Sequence, residues 1–139
     1  MIELQEKAVA DGVALRIGVV LEHEGAVLLL EREEYAQGLS PLNLPGTTVR
    51  PGETLAAAVA RAVHEETGLT VVDIVGHLGS FDYLSNAGTQ VRREHFAAEV
   101  AGVGPIRLSN YGSYRWLPLD GELPVTPSIR RILTAYRER

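Results

Sequence analysis

Residues Leu44–Leu69 read LPGTTVRPGETLAAAVARAVHEETGL, a loop punctuated by proline and glycine that runs straight into a helix. The spacing predicts that helix over Thr54–Thr67. Thr54 is a natural N-cap, Ala56 to Ala58 and Ala60 are strong helix formers, and Gly68 is a natural stop. At roughly 100° per residue, Leu55, Ala58, Val59 and Ala62 fall on one apolar stripe. Glu66 falls in the same stripe, Glu65 sits at its edge, and Arg61 precedes Glu65 by one turn. A carboxylate facing a core needs a cation, a hydrogen-bond network or an altered pKa, because burying it bare is very costly. The alternative is that the stripe stops a turn early and Glu66 points to water; the helical wheel leaves both open. Glu53, just before the helix, could fold back so that Glu53, Glu65 and Glu66 gather at one place. Such an all-oxygen set suits Mg²⁺ or Mn²⁺ rather than zinc.

On either side of this stretch the pattern is mixed. Val13–Leu21 and Ala26–Leu30 are nearly continuous aliphatic runs joined by Glu22-His23-Glu24-Gly25, which predicts a hairpin with at least one strand covered on both faces. Gln37–Pro51 holds three prolines and two glycines and reads as loop with short extended pieces. Val71–Tyr83 and Val91–Val100 read as strands around a Ser85-Asn86-Ala87-Gly88 turn, and Tyr114–Leu117 as a shorter strand. Pro127–Arg137 closes the chain as an amphipathic helix with Ile129, Ile132, Leu133 and Tyr136 at helical spacing. The expected class is α/β in the broad sense (α+β): a mixed β-sheet between helices, in one domain over residues 1–139.

Composition removes several function classes. The 139 residues carry 45% hydrophobic and 22% charged side chains with a net charge of -5, an ordinary globular composition. No basic excess exists to neutralise a nucleic-acid backbone, so no duplex partner is expected. An acidic protein can still take a phosphate compound if divalent cations lie between the two negative surfaces. The absence of cysteine excludes disulfides, thiolate zinc sites and a cysteine nucleophile, and fits a cytoplasmic protein. Met1–Arg16 has no signal-peptide core, and no apolar run approaches a membrane span, so no membrane partner is expected.

The stretch Leu44–Leu69 resembles the Nudix box, G-x5-E-x7-R-E-U-x-E-E-x-G-U with U aliphatic. Glu53, Arg61, Val63, Glu65, Glu66, Gly68 and Leu69 match at the right spacing, and Leu44-Pro45-Gly46 and Pro51-Gly52 are typical of the family. Arg115-Trp116-Leu117-Pro118-Leu119-Asp120 resembles the strand and turn that usually precede its last helix. Two positions depart from the pattern: Thr47 stands where the box has its first glycine, and Ala62 where it has the glutamate after the arginine. The resemblance implies an α/β/α sandwich and a metal-dependent pyrophosphohydrolase. Its substrate would be a nucleoside diphosphate linked to another moiety, such as a nucleotide-sugar, attacked by water on a phosphate bridged by Mg²⁺ or Mn²⁺. It implies Glu65, Glu66 and Glu53 as metal ligands or catalytic carboxylates, with Arg61 as their orienter. Thr47 predicts a modest shift of the loop. Ala62 predicts a thinned, weakened metal site, which keeps a second reading open: a non-catalytic Nudix-fold module that binds a nucleotide or regulates. A bare interaction domain is a third.

Further candidates follow from residue type. Gly46, Arg32 and Arg50 are candidate substrate contacts, the arginines for phosphate. Glu94, Glu99 and His95 are second-choice bases, and Glu94 and Glu99 are also candidates to fill the gap at Ala62, with a solvated strand face as the alternative for the two glutamates. Tyr35, Phe81, Tyr83, Tyr111 and Tyr114 could stack a base or simply pack. His64 falls on the side of the helix away from Glu66, and His23 and His77 show no partner at a recognisable spacing. A homodimer is compatible with the family, though no stripe marks an interface.

Overall fold

In the computed structural model, residues 1–33 and 42–139 are described. The helix of the glycine-proline stretch forms as expected. Following α1 (Ile2–Ala10), α2 spans Leu55–Thr67, Thr54 Oγ1 accepts from the Ala57 N–H, and Gly68 ends the helix in the left-handed conformation. The α1 helix itself has no counterpart in the sequence reading. It buries only Ala8 and leaves Ile2 and Val9 exposed, so it lacks the continuous apolar stripe that would betray a helix.

The strands form two four-stranded sheets. In the first, β1 (Ala14–Val20) runs parallel to β7 (Gln90–Val100), while β5 (Gly46–Thr48) and β6 (Val71–Leu84) flank them antiparallel. This is the expected mixed sheet. In the second, β3 (Ala26–Glu31) pairs with β8 (Ser113–Pro118) and with the short β2 (Glu22–His23) and β4 (Leu42–Asn43). The expected hairpin between the first two aliphatic runs is corrected. The tight turn at Glu24 and Gly25, both at positive φ, joins β2 to β3, and β1 belongs to the other sheet. Positive φ at both central residues is the type I′ geometry, whose twist matches that of the flanking strands.

Each face of the sheets carries a helix. Ile17, Val19 and Phe96 pack with Leu55, Val59 and Val63 of α2. Val20, Leu29 and Ala97 pack with Ile129, Ile132 and Leu133 of α3 (Pro127–Glu138). Successive β1 side chains therefore enter two different cores, which is why that strand lacks polar alternation. Among the described residues no helix is long and apolar enough to cross a membrane.

His95 lies inside this packing with no solvent exposure. Its Nε2 has no partner among the described residues and its Nδ1 lies 3.4 Å from the Gly79 carbonyl. Burial, then the Arg93 charge beside it, pushes its pKa down to about 3. The unfolded chain takes a proton on this ring below about pH 6.5 while the folded protein does not. Stability attributable to His95 is therefore complete above that pH and falls on acidification. The expected slope approaches about 1.4 kcal/mol per pH unit near pH 5. Urea midpoints near pH 7 and pH 5 should differ clearly in the parent and much less in His95→Gln. Equal differences in the two proteins would show that His95 is not the group responsible.

Candidate active site

The helix phase settles where Glu66 points. It is 6% exposed and sits one turn beyond Ala62, which is 1% exposed, on the buried face of α2. Its Oε1 accepts the Gly46 N–H at 3.2 Å, and the Asn110 side chain also hydrogen-bonds to it. Burial raises its pKa above the usual carboxylate value, against the pull of these bonds and of Arg16 and Arg93. Glu66 thus combines the two conditions that the sequence left as alternatives: it is buried and it faces a cleft.

That cleft, of about 640 Å³, has Ala62, Glu65 and Glu66 on its α2 wall. Arg16 of β1 and Arg32 and Glu33, just past β3, supply charge from the sheets. The loop between β7 and β8 contributes Asn110 and Tyr111. That loop is tied to the helix end by Arg107, whose N–H donates to the Thr67 carbonyl at 2.8 Å and so satisfies an acceptor the helix leaves free. A second cavity of about 600 Å³ shares Arg16 and Arg32 with the first and adds Phe81, Tyr83, Asn43 and Arg93. Both volumes fall within the range of small-molecule sites.

Gly46 is the close-approach position of this floor. A Cβ there would run into the Ile17 carbonyl and stand 2.7 Å from Arg93 Nη2. Arg93 is itself buried, with Nη1 donating to Asn43 Oδ1 at 2.8 Å and Nη2 to the Leu44 carbonyl at 3.1 Å. Thr47 carries no such constraint. It lies in extended β5 backbone, outside the positive-φ region, so a glycine is not needed there. Its Oγ1 instead accepts from Arg61 Nη1 at 3.2 Å.

Arg61 is the hub of the outer side. Its Nε and Nη2 grip the two oxygens of Glu53 at 2.8 and 2.9 Å, its Nη1 donates to Glu65 Oε1 at 3.0 Å, and Nη2 also reaches the Thr48 carbonyl at 2.8 Å. The Arg61 hydrogen bonds hold the Glu53 carboxyl down to about 2. Arg50 lies outside the cleft wall, 64% exposed, with Nη2 3.9 Å from Glu65 Oε1. The three box carboxylates are thus split. Glu53 stays on Arg61, Glu65 stands half-exposed between Arg61 and the cleft, and Glu66 lies inside. Among the described residues no three acidic or histidine side chains converge as a ready-made metal cage.

The residues present nonetheless fit a hard divalent cation. Glu65 and Glu66 lie in the last turn of α2, where the helix dipole favours positive charge, and neither His nor Cys lines the cleft. One or two carboxylates completed by water and substrate oxygens are the usual protein share of a Mg²⁺ site.

The remaining candidates lie elsewhere. Glu94 is buried and its Oε1 meets His77 Nε2 at 2.7 Å, a pairing across β6 and β7 that spacing did not reveal. Neither Glu94 nor His95 lines the cleft, Glu99 is exposed on its strand, and His64 is exposed on α2. Tyr114 is exposed, while Tyr35 lies outside the described residues. Arg16 and Asn110 were missed. Arg16 is the lone charged residue within Val13–Leu21, and that break in an aliphatic run was the available signal. Asn110 has none, because an irregular loop delivers it.

Known proteins share this architecture. The family model described as NUDIX domain matches residues 13–136. The low-salt glycan biosynthesis protein Agl8 of Haloferax volcanii is 40% identical over 79 residues, which are 56% of this chain and 49% of Agl8. The match therefore spans about half the length of that curated relative. The MutT protein of Methanosarcina mazei Go1 superposes with a TM-score of 0.74 at 27% identity, covering 91% of this chain and 94% of that one. An Ap4A hydrolase of C. elegans, solved as a binary complex, gives 0.75 at 20% identity over 91% and 96%, a likeness of fold.

Proposed function

Since the chain belongs to the Nudix family, we propose that it is a metal-dependent pyrophosphohydrolase acting on a nucleoside diphosphate linked to another moiety. One observation carries the reading. A single cleft presents Glu65 and Glu66 on one wall and Arg16 and Arg32 on another, and it shares those two arginines with a second cavity holding Phe81 and Tyr83. Carboxylates alone would repel a diphosphate, and arginines alone would bind one without activating it. Nudix hydrolases generally use divalent metal ions. When bound, such an ion supplies charge cancellation on the diphosphate and acidifies a water for attack.

The protein's own groups do the rest. Glu66 and Glu65 offer oxygens to the cation, and the Gly46 N–H fixes the Glu66 carboxylate. Arg61, itself held by Glu53, fixes Glu65, so Arg61 and Glu53 are positioning residues. Arg16 and Arg32 hold the phosphates, and the Phe81 and Tyr83 rings receive the nucleoside. Arg50, beside Glu65 but off the cleft wall, trims the charge of that carboxylate.

The test is a phosphate-release screen of nucleoside diphosphates and triphosphates, sugar nucleotides and dinucleoside polyphosphates, with Mg²⁺ and Mn²⁺ separately and Glu66→Gln as the blank. On the substrate found, Arg16→Ala should raise KM about tenfold or more with kcat little changed, since a charged hydrogen bond is worth about 1.5–3 kcal/mol. Saturable nucleotide binding without turnover of any compound would replace this reading with the binding-module one, which Ala62 favours.

A further inference from the structure

The geometry points to a protein that keeps no resident divalent ion and receives its cation only as part of a metal–diphosphate complex, with Ala62 as the cause. This deepens the hydrolase reading and rests on it. Ala62 lines the cleft one turn ahead of Glu66 and is 1% exposed, so a methyl group occupies the place from which a third α2 carboxylate would reach the same point. Glu33, the other acidic residue on the wall among the described residues, enters from the segment after β3 and packs on Gly112.

The two α2 carboxylates are also partly committed. Glu65 Oε1 is held by Arg61 Nη1 at 3.0 Å with Arg50 Nη2 at 3.9 Å, two positive groups that oppose an incoming cation. Glu66 Oε1 is engaged by the Gly46 N–H. Mg²⁺ gives up water reluctantly and is ordinarily held by few carboxylates only together with substrate phosphates. Here Arg16 and Arg32 stand on the same cleft to hold a diphosphate whose free oxygens complete the shell. The dependence is mutual. A bare diphosphate would meet the like charge of Glu65 and Glu66, and a bare cation would meet too few ligands among the described residues. Thermodynamic linkage then requires each to raise the affinity of the other by the same factor.

Equilibrium dialysis measures this without turnover, using Mn²⁺ and the unhydrolysable α,β-methylene-ADP. The parent protein should retain little Mn²⁺ alone and about one ion per chain when the nucleotide is present, with affinity raised about tenfold or more. The nucleotide should gain equally from Mn²⁺. Ala62→Glu should retain Mn²⁺ without nucleotide, about tenfold more tightly than the parent, and show weaker coupling. Stoichiometric Mn²⁺ on the free parent protein would overturn the inference and leave the hydrolase reading intact. Nucleotide retained equally with and without Mn²⁺ would overturn the inference, whereas only absence of turnover in the phosphate-release screen would overturn the hydrolase reading. An Ala62→Glu variant that folds, by its thermal transition, yet binds Mn²⁺ no better than the parent would remove Ala62 as the cause and overturn the inference as stated.

Discussion

Glu66→Gln is expected to lower kcat/KM about a thousandfold while leaving the protein at least as stable as its parent at neutral pH. The loss follows from position. Glu66 is the one α2 carboxylate that is both buried and on the cleft wall. An ion held against a phosphate contributes several kcal/mol to the transition state, and each 1.36 kcal/mol is about tenfold in rate. The gain in stability follows from burial, which raises the Glu66 pKa. A carboxyl raised in the folded state stabilises the fold while it is protonated, and that contribution is lost as pH rises from the unfolded value near 4.5 through the folded one. Glutamine carries no charge and its oxygen can still accept the Gly46 N–H, so its advantage appears at neutral pH and fades below about pH 4.5. Steady-state kinetics and urea midpoints near pH 7 and pH 4 read both halves. A variant that retains kcat/KM within about threefold of the parent would remove Glu66 from the reacting centre. A variant less stable than the parent at neutral pH would mean the carboxylate is better compensated than its surroundings suggest.

That opposition between activity and stability also marks how far the sequence could be read. The α2 helix was legible because a cap, an alanine run and a glycine stop are local signals, and because a carboxylate in an apolar stripe contradicts its own neighbours. Legibility ended where the chain folds back. The helical wheel could not say whether Glu66 faced water, since that depends on β5 and on the loop carrying Asn110, both remote in sequence. Arg16 reaches the cleft only because β1 pairs with β5 at Arg16↔Thr48, a register no periodicity encodes. The same pairing brings Arg61 within reach of Thr47 and Thr48, and this gives the residue that replaces the box glycine a hydrogen-bonding role. The gathering of Glu53, Glu65 and Glu66 expected from their spacing gives way to a division between Arg61 and the cleft, because a guanidinium takes two oxygens at once from the nearest carboxylate.

Arg61→Ala should therefore act first on the fold. Arg61 and Glu53 are 16% and 13% exposed, and removing the guanidinium strands a shielded carboxylate and frees the Thr48 carbonyl at one stroke. Breaking a buried pair typically costs 3–5 kcal/mol; for this partly buried one about 3 kcal/mol is expected, a fall in Tm of roughly 10 °C. Arg61→Lys should recover little, because a point charge cannot grip both Glu53 oxygens and Glu65 together. The Glu53 pKa of about 2 fixes the pH dependence. Stability from a carboxyl lowered in this way is complete above its unfolded value near 4.5 and is lost as pH falls toward about 2, so parent and variant should converge on acidification. Thermal melts near pH 7 and pH 3 measure the gap, and one that stays constant would mean that something other than the Glu53 pair is responsible. Glu53→Gln separates the two roles open to Glu53. As a positioning residue it should reproduce much of the stability loss and lower kcat/KM only about 10–100-fold. As a metal ligand it should match the thousandfold loss expected for Glu66→Gln.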